Sequence, residues 1–155
     1  ATKGSKFDIS VENNTAYFAN KLSTFLKKGD VVFLHGEIGV GKTTFVRYLI
    51  NSFQKKNKLK LTEVTSPTYN LVNEYEIKDL IIQHFDLFRL KHEDETKNIG
   101  LFENYKEVLT LIEWPEKITN RPQNVIDFFF DYKDKLEKRF LSIKGLKINN
   151  LNEFK

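Results

Sequence analysis

Residues 36–43 read Gly36-Glu37-Ile38-Gly39-Val40-Gly41-Lys42-Thr43, which fits G-x-x-x-x-G-K-[ST] without a mismatch. The chemistry that suits this spacing is the cradling of phosphates. Glycine has no Cβ, so the backbone can turn its N–H groups inward, and together with the start of a following helix they surround an anion. Lys42 adds a mobile positive charge at β/γ-phosphates, and Thr43 offers a hydroxyl to Mg2+. A glycine turn before an ordinary helix would show the same residues, but the context favours the phosphate loop. The apolar run Val31-Val32-Phe33-Leu34 enters it, and a helical pattern opens near Lys42 and runs to about Phe53. Strand, glycine loop and helix in that order are the setting the motif requires.

Magnesium held by one hydroxyl needs a carboxylate at the end of a neighbouring strand. Two predicted strands finish with one: Leu80 to Phe85 runs into Asp86, and Val108 to Ile112 into Glu113. Position alone leaves open which of them holds the metal. The other is then free to orient or polarise an attacking water, because phosphoryl transfer asks mainly for positioning and charge neutralisation. A GTPase is disfavoured, since Asp86 is followed by Leu87-Phe88-Arg89 rather than D-x-x-G, and N-K-x-D is absent. A small-molecule kinase is expected to clamp the phosphoryl group with several basic side chains, for which four Arg is a sparse supply, so hydrolysis fits better. Ser66-Pro67-Thr68-Tyr69 places a residue without N–H between two hydroxyls, with Ser66 held extended. Such a segment suits either a switch ordered by a γ-phosphate or a loop with local side-chain to backbone bonds.

The elements that must carry these residues read as α/β. Phe7 to Val11 alternates like a short strand, and Thr15 is placed to cap a helix in which Ala16, Ala19, Leu22, Phe25 and Leu26 recur up to Gly29. Val31–Leu34, apolar throughout, and Val108–Ile112, apolar but for Thr110, predict strands covered on both faces. Asn70–Tyr75 and Leu80–Phe85 predict a pair joined through Lys78-Asp79, and a short helical pattern spans Glu93–Asn98 before Gly100. Val125–Phe130 and Arg139–Ile143, separated by the charged Asp131–Lys138, predict a terminal hairpin.

The 155 residues, 40% hydrophobic with 14 Phe and no internal repeat, predict one domain over residues 1–155 with its own core. The absence of Cys excludes disulfides, thiolate metal sites and a cysteine nucleophile. No apolar run approaches a membrane span, and no secretory pattern opens the chain, so a cytoplasmic home and no membrane partner are expected. The net charge of +4 comes mostly from Lys in an Asn-, Ile- and Phe-rich chain, which makes nucleic-acid binding by charge alone a weak reading.

Four blocks together resemble the bacterial TsaE (YjeE) P-loop ATPases, which act in biosynthesis of threonylcarbamoyladenosine at position 37 of tRNA. They are Gly36 to Thr44, Ser66-Pro67-Thr68-Tyr69 with Glu74-Tyr75 downstream, His84-Phe85-Asp86-Leu87-Phe88-Arg89-Leu90, and Ile112-Glu113-Trp114-Pro115-Glu116. The resemblance implies a P-loop NTPase-like three-layer α/β fold, with a mixed, mostly parallel sheet and a C-terminal β-hairpin. It implies ATP and Mg2+ as cofactors. Gly36, Glu37, Ile38, Gly39, Val40, Gly41, Lys42, Thr43 and Thr44 would form the phosphate site, with Thr15 and Trp114 beside the nucleotide. Thr43 and Glu113 would hold Mg2+, Asp86 would assist hydrolysis at or near the metal together with Lys42, and Ser66 to Tyr69 would be a switch. Phe88 stands where the family usually has Tyr, and His84 is read as a packed or hydrogen-bonded histidine. The implied partner is the TsaB–TsaD heterodimer, with tRNA met only indirectly and no DNA. A small-molecule kinase, a nucleotide-gated binding module with little turnover and a direct tRNA binder are the competing readings.

Overall fold

A run such as Val31–Leu34 buries both of its faces only inside a sheet. In the computed structural model, which describes residues 5–37, 39–133 and 138–145, it lies at the centre of one. The elements are β1 (Ser5–Asp8), α1 (Glu12–Leu22), β2 (Val31–His35), α2 (Lys42–Lys56), β3 (Val72–Ile77), β4 (Leu80–Asp86), β5 (Leu109–Glu113), β6 (Ile126–Lys133) and β7 (Lys138–Lys144). They form one seven-stranded sheet in the order β1-β7-β6-β2-β5-β4-β3. The central β6, β2, β5 and β4 are mutually parallel, and β7 and β3 are antiparallel to their neighbours. β1 is antiparallel to β7 and so points with the centre. The expected mixed, mostly parallel α/β sheet with a terminal hairpin is therefore present.

The period-2 alternation of the central strands divides the core. Val32, Leu34, Leu109, Leu111, Ile82 and Phe128 pack with Ala19 and Leu22 of α1 and Phe45, Leu49 and Ile50 of α2. Val31, Phe33, Phe85, Leu87 and Ile112 face the other way. That side is covered by the third layer, built from 3-10 turns at Glu93–Ile99, Tyr105–Glu107 and Pro115–Lys117 with their flanking loops. Among the described residues no helix is long and apolar enough to cross a membrane.

Three expectations need correction. Thr15 does not cap α1, which starts at Glu12 after an extended Val11; Thr15 sits inside the helix and donates its hydroxyl to the Ile9 carbonyl at 3.3 Å. The stripe Thr15, Ala19 and Leu22 is what the helix buries, and starting earlier puts Glu12 at its positive end. The helix also stops at Leu22 rather than near Gly29. The Ser23 and Thr24 hydroxyls back-bond to the carbonyls of Asn20 and Lys21, both at 2.6 Å, and the N–H groups of Phe25 and Leu26 share the Leu22 carbonyl. Finally, the charged stretch after Phe130 is not all turn, because β6 continues through Asp131–Lys133 and β7 starts at Lys138. Residues 134–137 of that stretch lie outside the described residues.

Candidate active site at the strand ends

β2 delivers the chain to the glycine loop, and α2 leaves it. Gly36 has φ +149° and Gly41, directly before α2, has φ +108°, conformations that L side chains rarely adopt. No side chain caps α2, so the N–H groups of its first turn remain available to an anion. Beside this turn is a cleft of about 360 Å³ lined by Gly39, Gly41, Lys42, Thr43, Thr44, Ser66, Thr68, Asp86, Phe88, Glu113, Trp114 and Arg139.

The carboxylates reach it through sheet register. β4 and β5 are parallel with Asp86 paired to Glu113, so both strands end together. Each carboxylate lies an even number of residues from an inward residue of the helix-side core, Ile82 for Asp86 and Leu111 for Glu113. Both side chains therefore emerge on the face carrying α2. Thr43 Oγ1 lies 3.5 Å from Glu113 Oε2, and His84 Nε2 lies 2.7 Å from that same oxygen. Asp86 Oδ2 accepts the hydroxyls of Thr68 at 3.0 Å and Ser66 at 3.3 Å, and Oδ1 accepts the Phe88 N–H at 3.0 Å.

Lys42 is 5% exposed. Its ammonium donates to the Gly36 carbonyl at 2.5 Å and lies 4.1 Å from the centre of the Trp114 ring, which in turn packs against Phe88. Burial pushes the Lys42 pKa down, while the charges of Glu113, Asp86 and Glu116 push it up; burial prevails. The hydroxyl of Thr43 and the carboxylate of Glu113 are hard oxygen donors of the kind Mg2+ takes. Among the described residues there is no cluster of three or more metal-binding side chains. An incomplete protein set fits Mg2+, which keeps several waters and completes its shell with substrate phosphates.

The cleft thus brings together Gly39, Gly41, Lys42, Thr43, Thr44, Ser66, Thr68, Asp86, Glu113 and Trp114. Other expected residues lie elsewhere. Gly36 packs against β6, Glu37 is exposed, and Val40 is buried under the loop. Pro67 is buried with its carbonyl bonded to the Leu71 N–H, and Tyr69 points outward, 82% exposed, beneath the Arg89 guanidinium. Ile38 lies outside the described residues. Thr15 and Val40 line a neighbouring cleft of about 410 Å³ that shares Gly41, Thr44 and Arg139 with the first. Sequence reasoning missed Arg139 and Tyr132, whose phenol donates to the Gly39 carbonyl, and the bond from His84 to Glu113. The spacing of His84 two residues before Asp86 was the available signal for the last.

A family model described as "Threonylcarbamoyl adenosine biosynthesis protein TsaE" matches residues 9–140. The chain is 41% identical over 110 residues to the tRNA threonylcarbamoyladenosine biosynthesis protein TsaE of Rickettsia bellii, covering 71% of this chain and 74% of the relative. It is 40% identical to that of Rickettsia felis, covering 71% and 62%, and 36% identical to that of Aquifex aeolicus, covering 76% and 80%. The crystal structure of Bacillus subtilis YdiB superposes with a TM-score of 0.71 over 98% of this chain and 92% of that one, at 22% identity, which shows the shared fold.

Proposed function

The chain belongs to the TsaE family, and from that premise we propose that it is a Mg2+-dependent ATPase serving tRNA threonylcarbamoyladenosine biosynthesis in the cytoplasm. Residues 1–155 act as one P-loop domain, and hydrolysis resets the TsaB–TsaD heterodimer between turnovers; tRNA is met through that partner. The observation that supports this reading is the meeting of Lys42, Thr43, Asp86 and Glu113 at one cleft, with the two carboxylates in register at the ends of β4 and β5.

The division of labour follows from the contacts. Loop N–H groups and the start of α2 hold the phosphates, and Lys42 leaves the Gly36 carbonyl to neutralise the terminal ones. The Thr43 hydroxyl and the Glu113 carboxylate hold Mg2+, which when bound neutralises charge developing on the phosphate oxygens. Asp86, not occupied by the metal pair, orients the attacking water. Its Oδ2 accepts from Ser66 and Thr68, so ordering of Asp86 and of residues 66–69 is coupled. Trp114 and Thr15 flank the remainder of the nucleotide from the two adjoining clefts.

Lys42→Ala is expected to abolish phosphate release from ATP; ordinary hydrolysis by that variant rejects the assignment. Glu113→Ala should weaken Mg2+·ATP more than metal-free ATP, and equal losses reject Glu113 as ligand. Labelled γ-phosphate should appear as inorganic phosphate, and a phosphorylated metabolite would replace the hydrolase reading with a kinase. Depletion of the protein should lower threonylcarbamoyladenosine in bulk tRNA, and an unchanged level would remove the pathway assignment.

A further inference from the structure

We propose that His84 is a positioning residue for the metal, its Nε2–H fixing the Glu113 carboxylate by one oxygen so that the other is left for the cation. This rests on the reading of Glu113 as a Mg2+ ligand and adds to it the residue that aims the ligand.

His84 is fully buried on β4, two residues before Asp86 and on the same face. In the sheet it pairs with Leu111, so its ring reaches along the strands to Glu113, one inward position further on. A carboxylate can only accept, so the 2.7 Å contact places the hydrogen on Nε2. Oε2 receives both this bond and the longer Thr43 contact. Among the described residues no hydrogen bond ends on Oε1, which belongs to a residue lining the cleft. His84 Nδ1 is buried with no hydrogen-bond partner, so the ring's one polar attachment is Glu113. A free glutamate loses rotamer freedom when it captures a cation; one already held by a buried donor has lost it on folding. Partners of metal ligands that act this way alter metal affinity by about 10–100-fold when removed.

A histidine present only to fill the core would give a different mutational pattern. His84→Gln carries an amide N–H as many bonds from Cα as Nε2, whereas His84→Asn carries the same group at the distance of the partnerless Nδ1. Mn2+ is used as the probe, with binding of ATP measured in the presence of Mn2+ and in its absence and the bound ion followed by electron paramagnetic resonance. The ratio of the two ATP affinities should fall by about tenfold in His84→Asn and stay within about threefold of the parent in His84→Gln. A parental ratio in His84→Asn, or a Gln variant no better than Asn, overturns the proposal provided Glu113→Ala loses the ratio. A parental ratio in Glu113→Ala instead removes the metal-ligand reading, and the proposal falls with it. Should His84→Asn not fold, the 15N resonance of Nε2 in the parent chain decides. Its proton should remain hydrogen-bonded when Mg2+ and AMPPNP are added, and loss of that bond overturns the proposal.

Discussion

Gly36→Ala tests whether the loop is shaped by packing against the sheet as well as by its ligand. A Cβ at Gly36 would lie 2.8 Å from Val40 Cγ1, 2.9 Å from the Phe130 carbonyl oxygen and 3.1 Å from Phe130 Cβ. Val40 could turn, but Phe130 is backbone of β6, bound between β2 and β7. Overpacking of this kind costs about 1–3 kcal/mol, and a φ of +149° on an L residue adds about 1–2 kcal/mol. The sum, roughly 2–5 kcal/mol, converts at about 2–4 °C per kcal/mol to a melting temperature lowered by roughly 4–20 °C. Gly39→Ala and Gly41→Ala serve as controls. Their added Cβ atoms meet only Tyr132 Oη at 3.4 Å and Arg139 Nη1 at 3.9 Å, so they pay mainly for positive φ, about 1–2 kcal/mol each. Both line the cleft and Gly36 does not, so they should lose more ATP affinity than stability. Thermal unfolding of the three variants without nucleotide checks the order. Equal melting temperatures would refute the packing argument.

Tyr132→Phe removes the phenol that holds the Gly39 carbonyl; at about 0.5–1.5 kcal/mol for a hydrogen bond, exchange of the residue 39–41 amides should quicken several-fold, and unchanged exchange would refute a role in holding the loop. Trp114 is the only Trp and lies under Lys42, so its fluorescence should change when ATP draws the ammonium away. Lys42→Ala should show no such change, and an equal response would place the origin elsewhere. The Thr119 hydroxyl, at 2.7 Å, and then its N–H, at 2.8 Å, hold the Glu93 carboxyl below its ordinary pKa. The stability this clamp supplies is present above the ordinary carboxylate value and is lost as pH falls through the lowered one. In Thr119→Val the Glu93 carboxyl should titrate higher by NMR, and an identical curve would refute the hydroxyl's part.

What was legible in the sequence was whatever local pattern decides. The phosphate loop is contiguous, so its spacing survives folding. Val31–Leu34 and Val108–Ile112 could only be interior strands, and a carboxylate closing a parallel strand falls at the same end as the loop closing β2. That put Asp86 and Glu113 near Lys42 before any register was known. Their mutual pairing was not readable, because nothing local says that β4 and β5 are neighbours. Thr15 was misplaced for the opposite reason: its preference for a helix cap is local, and burial of the stripe it shares with Ala19 and Leu22 overrode it.

Arg139 and Tyr132 escaped because their places beside the loop are a consequence of unequal strand lengths. β2 ends at His35, paired with Phe129, but β6 runs on to Lys133. Phe128 and Phe130 face the helices, and the same alternation carries Tyr132 past the end of β2 to the Gly39 carbonyl. Pairing in the terminal hairpin then sets Arg139 opposite Tyr132, with its guanidinium 5.6 Å from that ring and at the edge of both clefts. Part of a charged stretch that reads as a turn is therefore strand, and it carries Tyr132 to the loop while Arg139, just beyond it, lines both clefts. The position of Arg139 is fixed by the register of β6 with β2 and β7, and a single residue inserted in β6 between Phe129 and Tyr132 would turn the phenol to the opposite face.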